Sequence, residues 1–170
     1  AWFNLGITLL NKSEFEEAVK AFDQALETDP RNAEAYYNRG VALLDLKKYE
    51  KALMSFNKAV EIDDTVPEFW HSKGCVHGIL RDFNEAMRDI DKAIALNPQM
   101  GDVWSQRGIT LYKLGKLEEA LGCFDKVVEM NPQDAEGWSN RGQILMKLER
   151  YDEAAKSHEQ ATKIKPDFVV

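Results

Sequence analysis

The sequence predicts an all-α fold, a solenoid of five helix–turn–helix hairpins, and three observations lead there. A phrase joining an aromatic to a glycine four positions later returns with a period of 34 residues and no insertion. Within a period, apolar residues recur at i, i+4 and i+7, the spacing of one helical face, and a second such stripe follows a polar break. Proline closes most periods, and the residue before a proline is pushed out of helical geometry.

Taken in order, repeat one covers residues 1–32, opens with Trp2 and Gly6, continues at Ala18 and closes at Pro30. Repeat two, 33–66, has Tyr36, Gly40, Ala52 and Asp64 in the same register, and repeat three, 67–100, has Trp70, Gly74, Ala86 and Pro98. Repeat four, 101–134, shows both helices most plainly. Trp104, Gly108 and Leu111 form one stripe, "KLGK" breaks it, and Leu117, Ala120, Leu121, Phe124 and Val128 form the next, before Pro132. Repeat five, 135–168, repeats the register with Trp138, Gly142, Ala154 and Pro166.

A glycine inside a helix costs about 1 kcal/mol relative to alanine, so five in register need a reason. The expectation is a close approach of paired helices at Gly108 and Ala120, with the aromatic beside it. No hairpin can bury its stripe alone, so neighbours must stack, and the chain reads as one domain, 1–170, without a linker. In the inner repeats Leu53, Phe56 and Val60, or Leu121, Phe124 and Val128, should meet the next unit. Repeat five has Ala155, His158 and Thr162 there, the softened face of a capping repeat. The closing "DFVV" has the look of another helix starting, which keeps a truncated array open.

Composition narrows the function. Of 170 residues, 44% are hydrophobic and 30% charged, the balance of a folded chain. The net charge of −7 argues against a nucleic-acid binder, whose affinity comes from basic side chains. No apolar run approaches the ~20 residues that cross a bilayer, so membrane insertion is not expected. "LGITLL" lacks the basic flank of a signal peptide, and a start at Ala1 suggests a fragment or a trimmed chain. Cys75 and Cys123 are too few for a disulfide framework and read as reduced thiols in a cytoplasmic protein.

This 34-residue helix–turn–helix pattern resembles the tetratricopeptide repeat, or TPR, over the whole chain. "WFNLG" in repeat one matches the family phrase fully. Later repeats place Arg39, Lys73, Arg107 and Arg141 where leucine is commoner, Asp64 replaces a proline and His158 an aromatic. The resemblance implies a right-handed superhelix whose first helices line a concave groove.

Chemistry is sparse. No phosphate loop, Ser–His–Asp ordering or paired CxxC is present, so neither catalysis nor a cofactor is expected. In "HSKGCVH", His71 and Cys75 share a helix face with His77 nearby, but zinc wants about four ligands and no further His or Cys is suitably spaced. No metal site is therefore expected; His77 reads as a packing residue and His158 as a cap substitution. Glu34, Glu68, Asp102 and Glu136 sit in first helical turns, where they offset the helix dipole.

The functional clue is the other face of the first helices. Phe3 and Ile7, Tyr37 and Val41, His71 and Cys75, Ser105 and Ile109, and Ser139 and Gln143 share it, flanked by Leu10, Leu44, Gly78, Tyr112 and Met146. It is apolar in the first two repeats and polar in the last two. A contiguous apolar patch in a concavity marks a binding site, while packing between neighbouring first helices is the competing account, strongest for Leu10 and Leu44. Two positions after each aromatic stand Asn4, Asn38, Ser72, Gln106 and Asn140. The TPR resemblance implies that asparagine here bonds the backbone of an extended peptide. An inter-repeat bond to a neighbouring carbonyl is the alternative.

The carboxylate clamp by which chaperone-binding TPR domains hold the Hsp70 or Hsp90 tail is absent: Asn38 alone matches, and Phe3, Ile7, Glu68 and Ser72 stand at the other positions compared. The reading is therefore a non-enzymatic scaffold or adaptor that binds an extended or short helical segment of a partner protein in the concave groove. Anchors would meet Phe3, Tyr37 and Val41. A polar or acidic stretch would meet Ser105, Lys113, Ser139 and Lys147, although both lysines also lie near helix C-termini, where the dipole explains them. Two alternatives stand beside it: a homo-oligomer formed by end-to-end stacking, and the substrate-recruiting TPR arm of a larger enzyme.

Overall fold

A computed structural model describes residues 1–166, and the "DFVV" segment lies outside the described residues. Ten helices occupy the described chain. They are α1 (Trp2–Asn11), α2 (Phe15–Thr28), α3 (Ala33–Asp45), α4 (Tyr49–Ile62), α5 (Pro67–Ile79), α6 (Phe83–Leu96), α7 (Gly101–Lys113), α8 (Leu117–Met130), α9 (Ala135–Lys147) and α10 (Tyr151–Ile164). Contacts divide the chain into two compact units, Ala1–Leu96 and Asn97–Val170. In the first, α1–α2, α3–α4 and α5–α6 pair as hairpins, with α2 packed on α3 and α4 on α5. In the second, α7–α8 and α9–α10 pair, with α8 packed on α9.

Each register glycine lies against a side chain sixteen positions on. A Cβ on Gly108 would lie 2.6 Å from the Phe124 ring, and one on Gly6 or Gly40 would lie 2.5 or 2.7 Å from Phe22 or Phe56. The helix axes come together because a whole ring, sixteen positions on, lies in the notch that glycine leaves. Ala120 is fully buried, and at the equivalent place in the third hairpin the Ala86 carbonyl lies 3.3 Å from where a Cβ on Gly74 would stand. Ile90 faces Gly74 in the third hairpin, and the His158 ring faces Gly142 in the fifth. His158 thus packs inside its own hairpin, with its buried Nδ1 lacking a hydrogen-bond partner among the described residues.

The aromatics four positions earlier do other work. The indole N–H groups of Trp70, Trp104 and Trp138 donate to the carbonyls of Asp64, Pro98 and Pro132 at 2.9–3.0 Å. Each ties a helix to the residue that closes the period before it, and a carbonyl serves whether that residue is proline or aspartate. Asn32 and Asp134 cap α3 and α9 by accepting from the N–H groups of Ala35 and Gly137, and Pro67 starts α5 where its missing N–H is not needed.

Each hairpin turn ends its first helix through the same backbone closure. The N–H of Glu14, Lys48, Asp82, Lys116 or Arg150 reaches back five residues to the carbonyl of Leu9, Leu43, His77, Leu111 or Leu145 at 2.8–2.9 Å. The residue just before that donor is left-handed: Gly115 in one turn, but Ser13, Lys47, Arg81 and Glu149 in the others.

Arg39 and Arg141, placed where leucine was expected, join neighbouring hairpins. Arg39 Nε donates to Asp23 on the preceding second helix at 2.6 Å, and its Nη1 to Ser55 on its own partner helix at 2.8 Å. Arg141 repeats the arrangement with Asp125 and Ser157 at 2.6 and 2.7 Å.

Candidate functional site

In the first unit, the apolar side chains of the first-helix face divide their surface between core and solvent. Phe3, Ile7 and Leu10 pack on the buried cluster of Ala18, Phe22 and Ala42, with the Phe3 ring 6.0 Å from that of Phe22. Tyr37, Val41 and Leu44 pack on Leu43, Ala52, Phe56 and Val76. The Tyr37 ring stacks on Phe69 of the next first helix at 4.9 Å. Adjacent first helices touch, so large side chains at these positions fill the seam between them. Packing between neighbours therefore accounts for much of this stripe, although each of the six side chains stays half-buried.

The polar stripe is also partly committed. Asn38 Nδ2 donates to the Glu34 carbonyl at 2.8 Å, within its own helix rather than across a repeat, which leaves its side-chain oxygen as an acceptor. The Ser72 hydroxyl donates to Tyr37 Oη at 3.4 Å, an inter-repeat contact. Asn4 is exposed and Gln106 half-buried. His71 and Cys75 meet along their helix, Nε2 to Sγ at 3.4 Å, while His77 is buried against Asp89 on α6.

The second unit brings more of the predicted residues together. Ile109, Tyr112, Lys113, Asn140 and Gln143 line one open pocket of about 170 Å³, floored by Phe124 and Ile144. Ile109 is 38% exposed, and the Lys113 ammonium lies 5.8 Å from the Tyr112 ring centre. Ser105 is half-buried and Lys147 is exposed outside the pocket. Ser139 departs from expectation: it is only 3% exposed and cannot face a partner, because its short side chain ends beneath the surface of the seam.

Four lining residues of the first unit, Ala33 among them, escaped the sequence reading. Phe69, Val66 and Asp63 join Tyr37, Asn38, Glu34 and Glu68 around a second pocket of about 320 Å³. A signal existed: Phe69 is bulky where the register has Ala1, Ala35, Val103 and Gly137.

Paired helices in a fixed period, with open pockets between successive first helices, define a helical-repeat protein. Sequence profiles described as Tetratricopeptide repeat match residues 3–67, 67–100 and 105–167, and the chain belongs to that family. Solved structures agree on the fold. A crystal structure of MamA is 24% identical, with a TM-score of 0.89 over 95% of this chain and 94% of that one. MamA 41-end from Desulfovibrio magneticus RS-1 is 18% identical, with a TM-score of 0.91 over 99% and 96%. YrrB, described as a TPR protein with an unusual peptide-binding site, is 29% identical, with a TM-score of 0.83 over 98% and 86%. No curated protein matches the sequence. No helix among the described residues is long and apolar enough to cross a membrane.

Proposed function

We propose that the chain is a non-enzymatic protein-interaction module that holds an extended or short helical segment of a partner protein against its first helices. The observation that carries this reading is the pocket of the second unit. Five residues picked out for their place on the first-helix face line it, and its apolar floor lies beside two amides and an ammonium. An amide offers both donor and acceptor and so can bond a peptide backbone whatever its sequence. Asn140 and Gln143 are not drawn into side-chain bonds among the described residues, unlike Asn38. YrrB, with its described peptide-binding site, supports the same class of ligand.

The test is affinity capture with the wild-type chain beside Asn140→Ala/Gln143→Ala. Both side chains reach the pocket and neither is in the buried core, so the variant should fold. At about 1 kcal/mol per hydrogen bond, two lost bonds weaken binding roughly ten- to thirty-fold, and partners should drop out. An unchanged partner set with an unchanged helical spectrum would sink the reading.

A second reading has its own observation. Trp2, Leu5 and Leu9 line an apolar hollow of about 450 Å³ on the first hairpin, with Trp2 48% and Leu5 43% exposed. A face of this kind supports self-association. Sedimentation across concentrations separates the two, since stacking predicts growing species.

A further inference from the structure

We infer that the pocket between α3 and α5 in the first unit is a subsite for an arginine side chain of the bound partner segment. This deepens the interaction reading above and rests on it. The pocket holds about 320 Å³, enough for one large side chain. Its floor is apolar, formed by Val66 and the stacked pair of Tyr37 and Phe69 at 4.9 Å. Its polar lining carries one sign: Glu34, Asp63 and Glu68 border it, and no lysine or arginine does.

The helix dipoles do not cancel that charge. Glu34 and Glu68 stand in the first turns of α3 and α5, where each N-terminus offers roughly half a positive charge, so three carboxylates leave about two negative charges in excess. Neither glutamate has an ion-pair partner among the described residues. Asp63 accepts from the N–H and hydroxyl of Thr65 at 3.0 and 2.6 Å, and those bonds hold its carboxyl below the usual range, in the charged form. An apolar cup with an anionic rim fits a side chain that has an apolar stem and a cationic head. Arginine fits better than lysine, because a planar guanidinium stacks on an aromatic face and bonds carboxylates with two nitrogens.

Backbone amide shifts, followed as acetyl-Ala-Arg-Ala-amide is titrated in, test the assignment, with the citrulline peptide as an isosteric neutral twin. The arginine peptide should shift saturably the amides of residues 33–38, 63–66, 68 and 69, and the citrulline peptide should not. Glu34→Gln/Glu68→Gln should weaken the arginine response about five-fold or more, whereas Glu16→Gln/Glu17→Gln, which removes equal charge on α2, should leave it intact. Equal responses to both peptides, or equal losses in both double variants, would overturn the subsite in favour of general attraction to an acidic protein. The outcomes separate from the parent reading. No arginine response, with partners still lost in Asn140→Ala/Gln143→Ala, sinks the subsite alone. A specific arginine response, with partners retained in that variant, sinks the parent reading alone.

Discussion

Hairpins α3–α4 and α5–α6 lie in the same unit and share a register, yet their polar residues reach in opposite directions. Arg39 spans two hairpins, bonding Asp23 on α2 and Ser55 on α4. Lys73, at the equivalent position, stays within its own pair, bonding Asp89 on α6 at 2.9 Å, and His77 takes the other Asp89 oxygen at 2.8 Å. The notch differs too, with the Phe56 ring over Gly40 but a branched aliphatic, Ile90, over Gly74. One backbone register thus supports two sources of cohesion, coupling between neighbours and a buried polar centre within one pair. Two positions change together. Arg39 has Ser55 on its partner helix and Asp23 on the preceding one, while Lys73 has Asp89 on its partner helix and a neutral Asn57 on the preceding one. Each cation bonds the carboxylate within its reach.

Breaking the buried centre should have the largest effect. Asp89 is 3% exposed, and removing it strands Lys73 and His77. Asp89→Ala should therefore cost about 3–5 kcal/mol, whereas Ser55→Ala at the matching position should cost about 1 kcal/mol. Urea unfolding followed by circular dichroism measures both, and equal losses would erase the contrast. The notch gives the next effect. A Cβ on Gly40 would meet the Phe56 ring at 2.7 Å, while one on Gly74 would meet Ile90 Cγ1 at 3.0 Å. Gly40→Ala should cost about 1–3 kcal/mol through overpacking, and Gly74→Ala less, since a smaller clash is offset by alanine's helix preference. The smallest effect sharpens the outward link. Arg39 and Asp23 are partly exposed, so Asp23→Asn should cost only about 0.2–1 kcal/mol, read as a small shift in the urea midpoint that shrinks further in high salt.

The elements were legible because their signals are local: helical stripes, glycines in register and prolines at the ends are all short-range constraints. The partner of each glycine was not. Nothing within a few residues of Gly108 says that the Phe124 ring occupies the notch. The arginine links were hidden for the same reason, since Arg39 and Asp23 meet only after hairpins stack. The candidate site was half legible. Ile109, Asn140 and Gln143 were placed on one face by helical spacing and line one pocket, but Ser139 is buried, which spacing cannot report. Glu34 and Glu68 were accounted for by the helix dipole. Their shared cup appears only when Phe69 stacks on Tyr37 from the next helix.

The hairpin corners carry one more consequence. Ser13, Lys47, Arg81 and Glu149 all sit in a backbone conformation that glycine would adopt freely and that costs an L side chain roughly 1 kcal/mol or more. All four are exposed, and the five-residue closure around them runs through main-chain atoms alone. Those corners are thus spots where the chain tolerates strain without consulting the side chain. Writing glycine there, as residue 115 already does, is a route to a sturdier variant that leaves both pockets untouched.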